Sequence, residues 1–256
     1  MAGLEKLAAI VDDAQLQARP IPQLTHAMPD LSVEDAYAIQ ALSVARRLSR
    51  GERRIGVKMG LTSRAKMVQV GVDEVAWGRL TDAMLLEEGG ALPLSAFVHP
   101  RLEPEIVFLL KKRLSGNVST LEAMAAVEAI APAMEVIDSR YENFKFVLPD
   151  VVADNTSSAG LVIGAWRSPE IDFSNLGMVL SVNGRPKEIG SSAAILGHPV
   201  RSLVAAARMT AQWGEALEPG YIVMAGAATA AHAASVGETI SLEVQNLGSV
   251  SIKIEE

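Results

Sequence analysis

Apolar residues at helical spacing open the chain. Residues 4–19 and 33–50 each repeat apolar positions with a period near 3.6, which predicts two amphipathic helices. Ser32 precedes the second, with Asp35 three residues on, close to the reciprocal cap that satisfies the free N–H groups of a helix start. Pro20, Pro22 and Pro29 punctuate the loop between them. The short apolar segment 55–60, bordered by glycines, predicts a strand that carries Lys58 into a buried setting. From Leu102 the pattern changes. Apolar runs at 106–110, 132–137, 176–182, 221–225, 239–244 and 249–254 are of strand length, and Asn183-Gly184 between two of them is a hairpin turn signal. Two helices are predicted to interrupt this region. One covers about 120–130 and opens on the capping box Ser119-Thr-Leu-Glu122; the other covers 198–213 and ends at Gly214.

This order of elements predicts an α+β protein, with a small helical N-terminal portion over residues 1–77 and a strand-dominated domain over residues 78–256. There is no internal repeat and no low-complexity linker. With 256 residues, 49% of them apolar and 21% charged, the chain has the material for a sizeable core. Its 23 basic and 30 acidic residues leave a net charge of −7 and form no basic stripe, so nucleic acid is not an expected partner. An anionic protein that binds an anionic substrate must place cations locally, as a metal ion or a few specific Lys and Arg. The absence of cysteine excludes disulfides, thiolate metal sites and cysteine nucleophiles. The opening Met-Ala-Gly-Leu-Glu-Lys lacks a basic segment followed by an apolar one, and no apolar run reaches the roughly 18 residues of a membrane span. The expectation is a cytoplasmic protein without a membrane partner.

The chemistry concentrates in acids. In Arg101-Leu-Glu103-Pro-Glu105-Ile, two carboxylates stand two residues apart at the entry of a strand, so both leave the same face. That face turns apolar at once, and two desolvated carboxylates side by side repel unless a cation lies between them. Glu135 interrupts another apolar strand and also needs a partner. Three carboxylates, with no cysteine and no paired histidines, point to Mg²⁺ or Mn²⁺ with positions left for water and substrate. The alternative for Glu-x-Glu alone is a solvated pair at a strand end.

The motifs Gly-Val-Lys58-Met-Gly-Leu61-Thr-Ser, Trp77-Gly-Arg-Leu-Thr-Asp82, Arg-Leu-Glu103-Pro-Glu105-Ile, Glu135-Val-Ile-Asp138-Ser-Arg140, Val-Ala-Asp154-Asn155 and Ile-Leu-Gly-His198-Pro come in matching order. Together they resemble the hydratase/decarboxylase family of aromatic meta-cleavage pathways, within the fumarylacetoacetate hydrolase superfamily. The resemblance runs from about residue 33 to the end. It implies a mixed β-sandwich roll, Mg²⁺ on Glu103, Glu105 and Glu135, and a small 2-oxo dicarboxylate or its dienoate product as substrate. Two activities fall within the family: decarboxylation of 2-oxo-3-hexenedioate (4-oxalocrotonate), and hydration of the resulting 2-hydroxypenta-2,4-dienoate. The stretches Thr-Ser-Arg-Ala-Lys-Met-Val-Gln, His-Pro-Arg-Leu-Glu-Pro-Glu and Val-Gln-Asn-Leu-Gly-Ser-Val-Ser are similar to the decarboxylases. Ala76 stands where the hydratases carry an acid.

Around the acids, Lys58 is expected to act as a second cation or proton donor; the alternative is a lysine whose ammonium reaches water. Asp138 and Arg140 are expected either to orient Glu135 and Lys58 or to form a surface ion pair. Leu61, Asn155, Ser157, Ser158 and Thr229 are the expected substrate-binding residues, with backbone N–H groups of the 226–229 loop or the Thr229 hydroxyl turned toward a substrate carboxylate; the alternative for the polar 155–158 loop is a plain turn. His198 before Pro199 is expected to cap a helix rather than act as a base. The resemblance also implies a homo-oligomer and a complex with the pathway hydratase, in which a catalytically silent subunit is the alternative role.

Overall fold

A computed structural model of the chain describes residues 2–63, 67 and 74–256. Of the Thr-Ser-Arg-Ala-Lys-Met-Val-Gln stretch, residues 64–66, 68 and 69 lie outside the described residues.

Helices α1 (Ala2–Leu16), α2 (Leu24–Ala27) and α3 (Val33–Ser49) form the N-terminal portion. The Ser32 hydroxyl accepts from the Asp35 N–H, as its spacing predicts. Apolar stripes on α1 and α3, Ala8, Val11 and Ala14 against Ala36 and Ile39, join the main core. Asp12, almost fully buried, accepts from Arg46 of α3 and from Arg50 at that helix's C-cap and ties the two helices together.

Two sheets follow. Strands β1 (Arg54–Gly60), β2 (Ala76–Thr81), β3 (Leu85–Leu86), β5 (Arg101–Leu110), β6 (Val127–Ile137), β7 (Ser158–Ile163) and β10 (Ile222–Met224) make one, in the order β2-β1-β10-β5-β6-β7-β3, and β11 (His232–Ala233) adds to β5. The other runs β4-β13-β12-β8-β9, built from β4 (Ala91–Pro93), β8 (Gly177–Val182), β9 (Arg185–Ser191), β12 (Thr239–Val244) and β13 (Gly248–Glu255). Mixed parallel and antiparallel pairing in a sandwich roll, with helices beside it, is the α+β architecture the sequence predicts. The Asn183-Gly184 turn joins β8 to β9 with positive φ at both residues, which a right-twisted two-residue hairpin demands.

Both faces of β5 and β6 are covered, and this explains their unbroken apolar runs. Leu102, Ile106, Phe108, Ile130, Met134 and Val136 belong to the main core. The alternate residues Val107, Ala131 and Ala133 join Leu161, Ile222 and Met224 in a smaller cluster on the opposite face, inside the roll.

Several expected boundaries move. The helix expected over 120–130 is α4 (Thr120–Ala125), because Val127 already pairs with Leu110 and starts β6. A short helix absent from the sequence reading, α5 (Leu148–Ala153), holds too few residues to display a period. Helix α6 (Pro199–Gln212) matches its prediction, and the His198 ring accepts from the Val200 N–H as its cap. The division expected at 77/78 falls inside β2, and β1, with Lys58, is hydrogen-bonded into the same large sheet.

Candidate active site

Register brings the acids together. Glu103 on β5 lies directly opposite Glu135 on β6, and Glu105 follows on the same face of β5. Lys58 of β1 reaches that face from two strands away, since it pairs with Met224, which pairs with Val107. Carboxylate oxygens of Glu103, Glu105 and Glu135 all lie within 4.8 Å of one another, and all three residues are buried. Like charges directly across a sheet destabilise it, so this arrangement requires a cation.

Lys58 supplies one positive charge. It is 2% exposed, and its Nζ lies 3.0 and 3.1 Å from the two Glu135 oxygens. The reading in which its ammonium reaches water is therefore set aside. The Gly226 N–H donates to Glu105 Oε2 at 2.7 Å, while Glu105 Oε1 is buried without a hydrogen-bond partner. Burial, followed by the charge of Glu135, pushes the Glu105 carboxyl well above the usual range. Burial also raises the Glu135 carboxyl, against the pull of Lys58. Burial of three carboxylates within 4.8 Å of one another, with Glu105 Oε1 left unpartnered, favours a further cation among them. An all-oxygen donor set fits a hard divalent ion such as Mg²⁺.

A cavity of about 740 Å³ opens over this cluster. Lys58, Glu103, Leu61 and Ser157 line its inner part, and Arg101, Phe144, Lys145 and Phe146 stand among the outer residues. Leu61 adopts positive φ beside Gly60, where an added Cβ would fall 2.8 Å from the Thr156 methyl. The Ser157 hydroxyl is buried without a partner.

The other expected residues serve differently. Asn155, Thr156 and Ser157 are three successive residues at positive φ, a costly backbone shape that its surroundings must impose. Asn155 spends its side chain on β2, accepting from the Arg79 N–H and donating to the Arg79 carbonyl, and the Ser158 hydroxyl faces the Met84 sulfur. Neither lines the cavity. Asp138 and Arg140 are not a surface pair, since both are fully buried. Asp138 accepts from the N–H groups of Val98 and His99, and its own N–H donates to the Ser157 carbonyl. Arg140 pairs with Asp154 and donates to the Asp154 and Ser158 carbonyls. Burial pushes the Asp154 carboxyl up to about 6 against the pull of Arg140. Both residues therefore brace the 155–157 turn, and neither makes a hydrogen bond to Glu135 or Lys58. In the 226–229 loop, the Gly226 N–H is taken by Glu105 and the Thr229 hydroxyl donates to the Ala230 carbonyl; Ala230 and Ala231 line the cavity instead.

The cavity wall over 143–147, Val151 and Arg101 escaped the sequence reading. Its one signal was Phe144-Lys-Phe146, two aromatics in a polar segment.

Three buried carboxylates and a lysine on one face of a mixed sheet have the donor set of a divalent-metal enzyme site. The chain belongs to the fumarylacetoacetate hydrolase family: residues 65–255 match its C-terminal domain. A 4-oxalocrotonate decarboxylase from Pseudomonas sp is 58% identical over 248 residues, covering 97% of this chain and 96% of that protein. A 2-keto-4-pentenoate hydratase from Paraburkholderia xenovorans (strain LB400) is 37% identical over 254 residues, covering 98% and 94%. The solved structure of 4-oxalocrotonate decarboxylase from Pseudomonas putida G7, complexed with magnesium and adipate, matches with a TM-score of 0.96 and 39% identity. That match covers 99% of this chain and 97% of that one.

Proposed function

We propose that this chain decarboxylates 2-oxo-3-hexenedioate (4-oxalocrotonate) to 2-hydroxypenta-2,4-dienoate and CO₂, with Mg²⁺ or Mn²⁺ held by Glu103, Glu105 and Glu135. The observation that carries the reading is the buried acid cluster with its unpartnered Glu105 oxygen beneath a cavity that also holds Lys58. The nearly full-length likeness at 58% identity supports the decarboxylase over the hydratase. So does Ala76, which by register shares the Lys58 face of β2 and offers no acid to direct water.

Loss of CO₂ from this vinylogous β-keto acid moves an electron pair through the double bond onto the 2-oxo oxygen. A bound divalent ion supplies Lewis-acid stabilisation of that developing charge. Lys58, fixed by Glu135, would offer a further positive charge and N–H donors to that oxygen. Leu61 and the 155–157 turn shape the inner cavity, and the unpartnered Ser157 hydroxyl is available to orient the substrate. Phe144 and Phe146 give the wall two apolar rings against which the carbon chain of the substrate would pack. Asp138 and Arg140 act at one remove, by bracing that turn.

The test measures headspace CO₂ from the dioate and loss of the dienoate chromophore when dienoate is supplied alone, each with Mg²⁺ and after EDTA. CO₂ release that EDTA abolishes and Mg²⁺ or Mn²⁺ restores is expected. Rapid dienoate consumption without CO₂ from the dioate would assign the chain to the hydratases; full activity after exhaustive EDTA would remove the metal. Among the described residues no helix is long and apolar enough to cross a membrane. A cytoplasmic homo-oligomer associated with the pathway hydratase is the assembly we propose, to be checked by light scattering with and without that hydratase.

A further inference from the structure

The inner end of the cavity offers nothing to a second negative charge on the substrate. Three carboxylates crowd that end around Lys58, and the chain as a whole carries −7. A dicarboxylate therefore needs a second cationic pole within the same cavity.

Two side chains can form it. Arg101 and Lys145 line the cavity with Glu103 and Lys58, yet neither makes an ion pair among the described residues. Arg101 precedes Glu103 by two residues on β5, so it projects from the same face, further toward the mouth. Its guanidinium stacks on Phe144, 4.0 Å from the ring centroid. Phe144 is itself packed against His99 and Phe146, at centroid distances of 5.3 and 5.7 Å, which holds the stack in place. Lys145 follows directly, on an exposed stretch whose Asn143 and Phe144 lie at positive φ. The strand rise places Arg101 about 7 Å before Glu103, and five carbon–carbon bonds separate the ends of an extended six-carbon diacid by about 6–7 Å.

We infer that Arg101 and Lys145 form the subsite for the far carboxylate of a six-carbon 2-oxo dicarboxylate and set the preference for a dianion over a monoanion. This deepens the decarboxylase reading and rests on it. The far carboxylate is the one that departs, so a cation beside it is a specificity device rather than a catalytic one. Negative charge leaves that carboxylate as the C–C bond breaks, and a contact strongest in the ground state tightens binding without speeding the chemistry. The pair thus works on KM.

Calorimetric binding to the Mg²⁺-loaded protein tests the subsite apart from turnover, with hexanedioate, butanedioate and 2-oxopentanoate as probes. In Arg101→Gln and Lys145→Gln, hexanedioate should weaken about tenfold or more, while the short diacid and the monoacid change less than about threefold. Equal weakening of all three probes, or unchanged hexanedioate affinity, would overturn the inference. With the dioate as substrate, KM should rise by a similar factor and kcat should hold or increase; a collapse of kcat at constant KM would equally overturn it. Arg101→Lys keeps the charge and should retain most of the hexanedioate affinity, which separates charge loss from misfolding. Should wild-type protein discriminate among the probes as stated yet release no CO₂, the decarboxylase reading fails and the subsite stands.

Discussion

Gly226 shows how closely single residues fit the acid cluster. Its N–H holds Glu105, its φ of +107° suits glycine alone, and an added Cβ would fall 2.1 Å from the Thr62 hydroxyl oxygen. Gly226→Ala should therefore displace Glu105 and weaken Mg²⁺ binding by about tenfold or more, with a stability loss of about 1–3 kcal/mol. Isothermal titration and urea unfolding check the two halves, and unchanged Mg²⁺ affinity would show that Glu105 needs no such brace. Glu135→Gln removes a charge and little volume, so the fold should survive while turnover falls by about two orders of magnitude or more. A metal-replete, fully active variant would take Glu135 out of the site. The acids were legible because two carboxylates at period two and a lone carboxylate in an apolar strand violate the pattern around them. Arg101 and Lys145 violated nothing, since an arginine at a strand entry and a lysine in a loop are ordinary in sequence.

At the scale of elements, the turn over Asn155, Thr156 and Ser157 is the costliest piece of backbone at the site, and the charges of 138–154 hold it. Asp154→Asn leaves the Arg140 guanidinium buried without its counter-charge, and breaking such a pair costs about 3–5 kcal/mol. Chemical denaturation should report a loss of that size, with KM for the dioate rising as Ser157 moves. A variant as stable as wild type would mean that Arg140 does not carry the turn. The sequence showed these residues as a motif but not their use: that Arg140 turns to Asp154 and Asp138 to backbone N–H groups depends on a left-handed turn no periodicity announces. Helix α5 was hidden for a related reason, being too short to repeat, whereas α3 and α6 were legible from their stripes and caps.

Across the whole molecule, Asp150 joins the N-terminal portion to the cavity wall. It accepts from the Gln23 side chain, from the backbone and hydroxyl of Thr25, and from the Val147 N–H. Asp150→Ala should cost about 1–3 kcal/mol for the donors left unpaired and should loosen the 143–147 wall. Faster proteolysis within that wall is the expected sign, and unaltered cleavage would show that the wall stands alone. The roll and its order of elements were readable from alternating and continuous apolar runs. The pairing of β1 with β10 was not, because it spans most of the chain and leaves no local trace.

The smaller apolar cluster inside the roll has a kinetic corollary. Val107, Ala131, Ala133, Leu161 and Met224 are fully buried on or beside the face of β5 and β6 that carries the acids, so that face is packed solid beyond them. With no passage through that packing, substrate and products are expected to exchange on the side of Arg101 and the 143–147 wall. The fragment cut from the outer end of the dioate departs first, and the enol remains behind it, blocking the next arrival until it too escapes. Turnover should then slow as dienoate accumulates, with inhibition competitive against the dioate, and dissolved CO₂ should have no such effect.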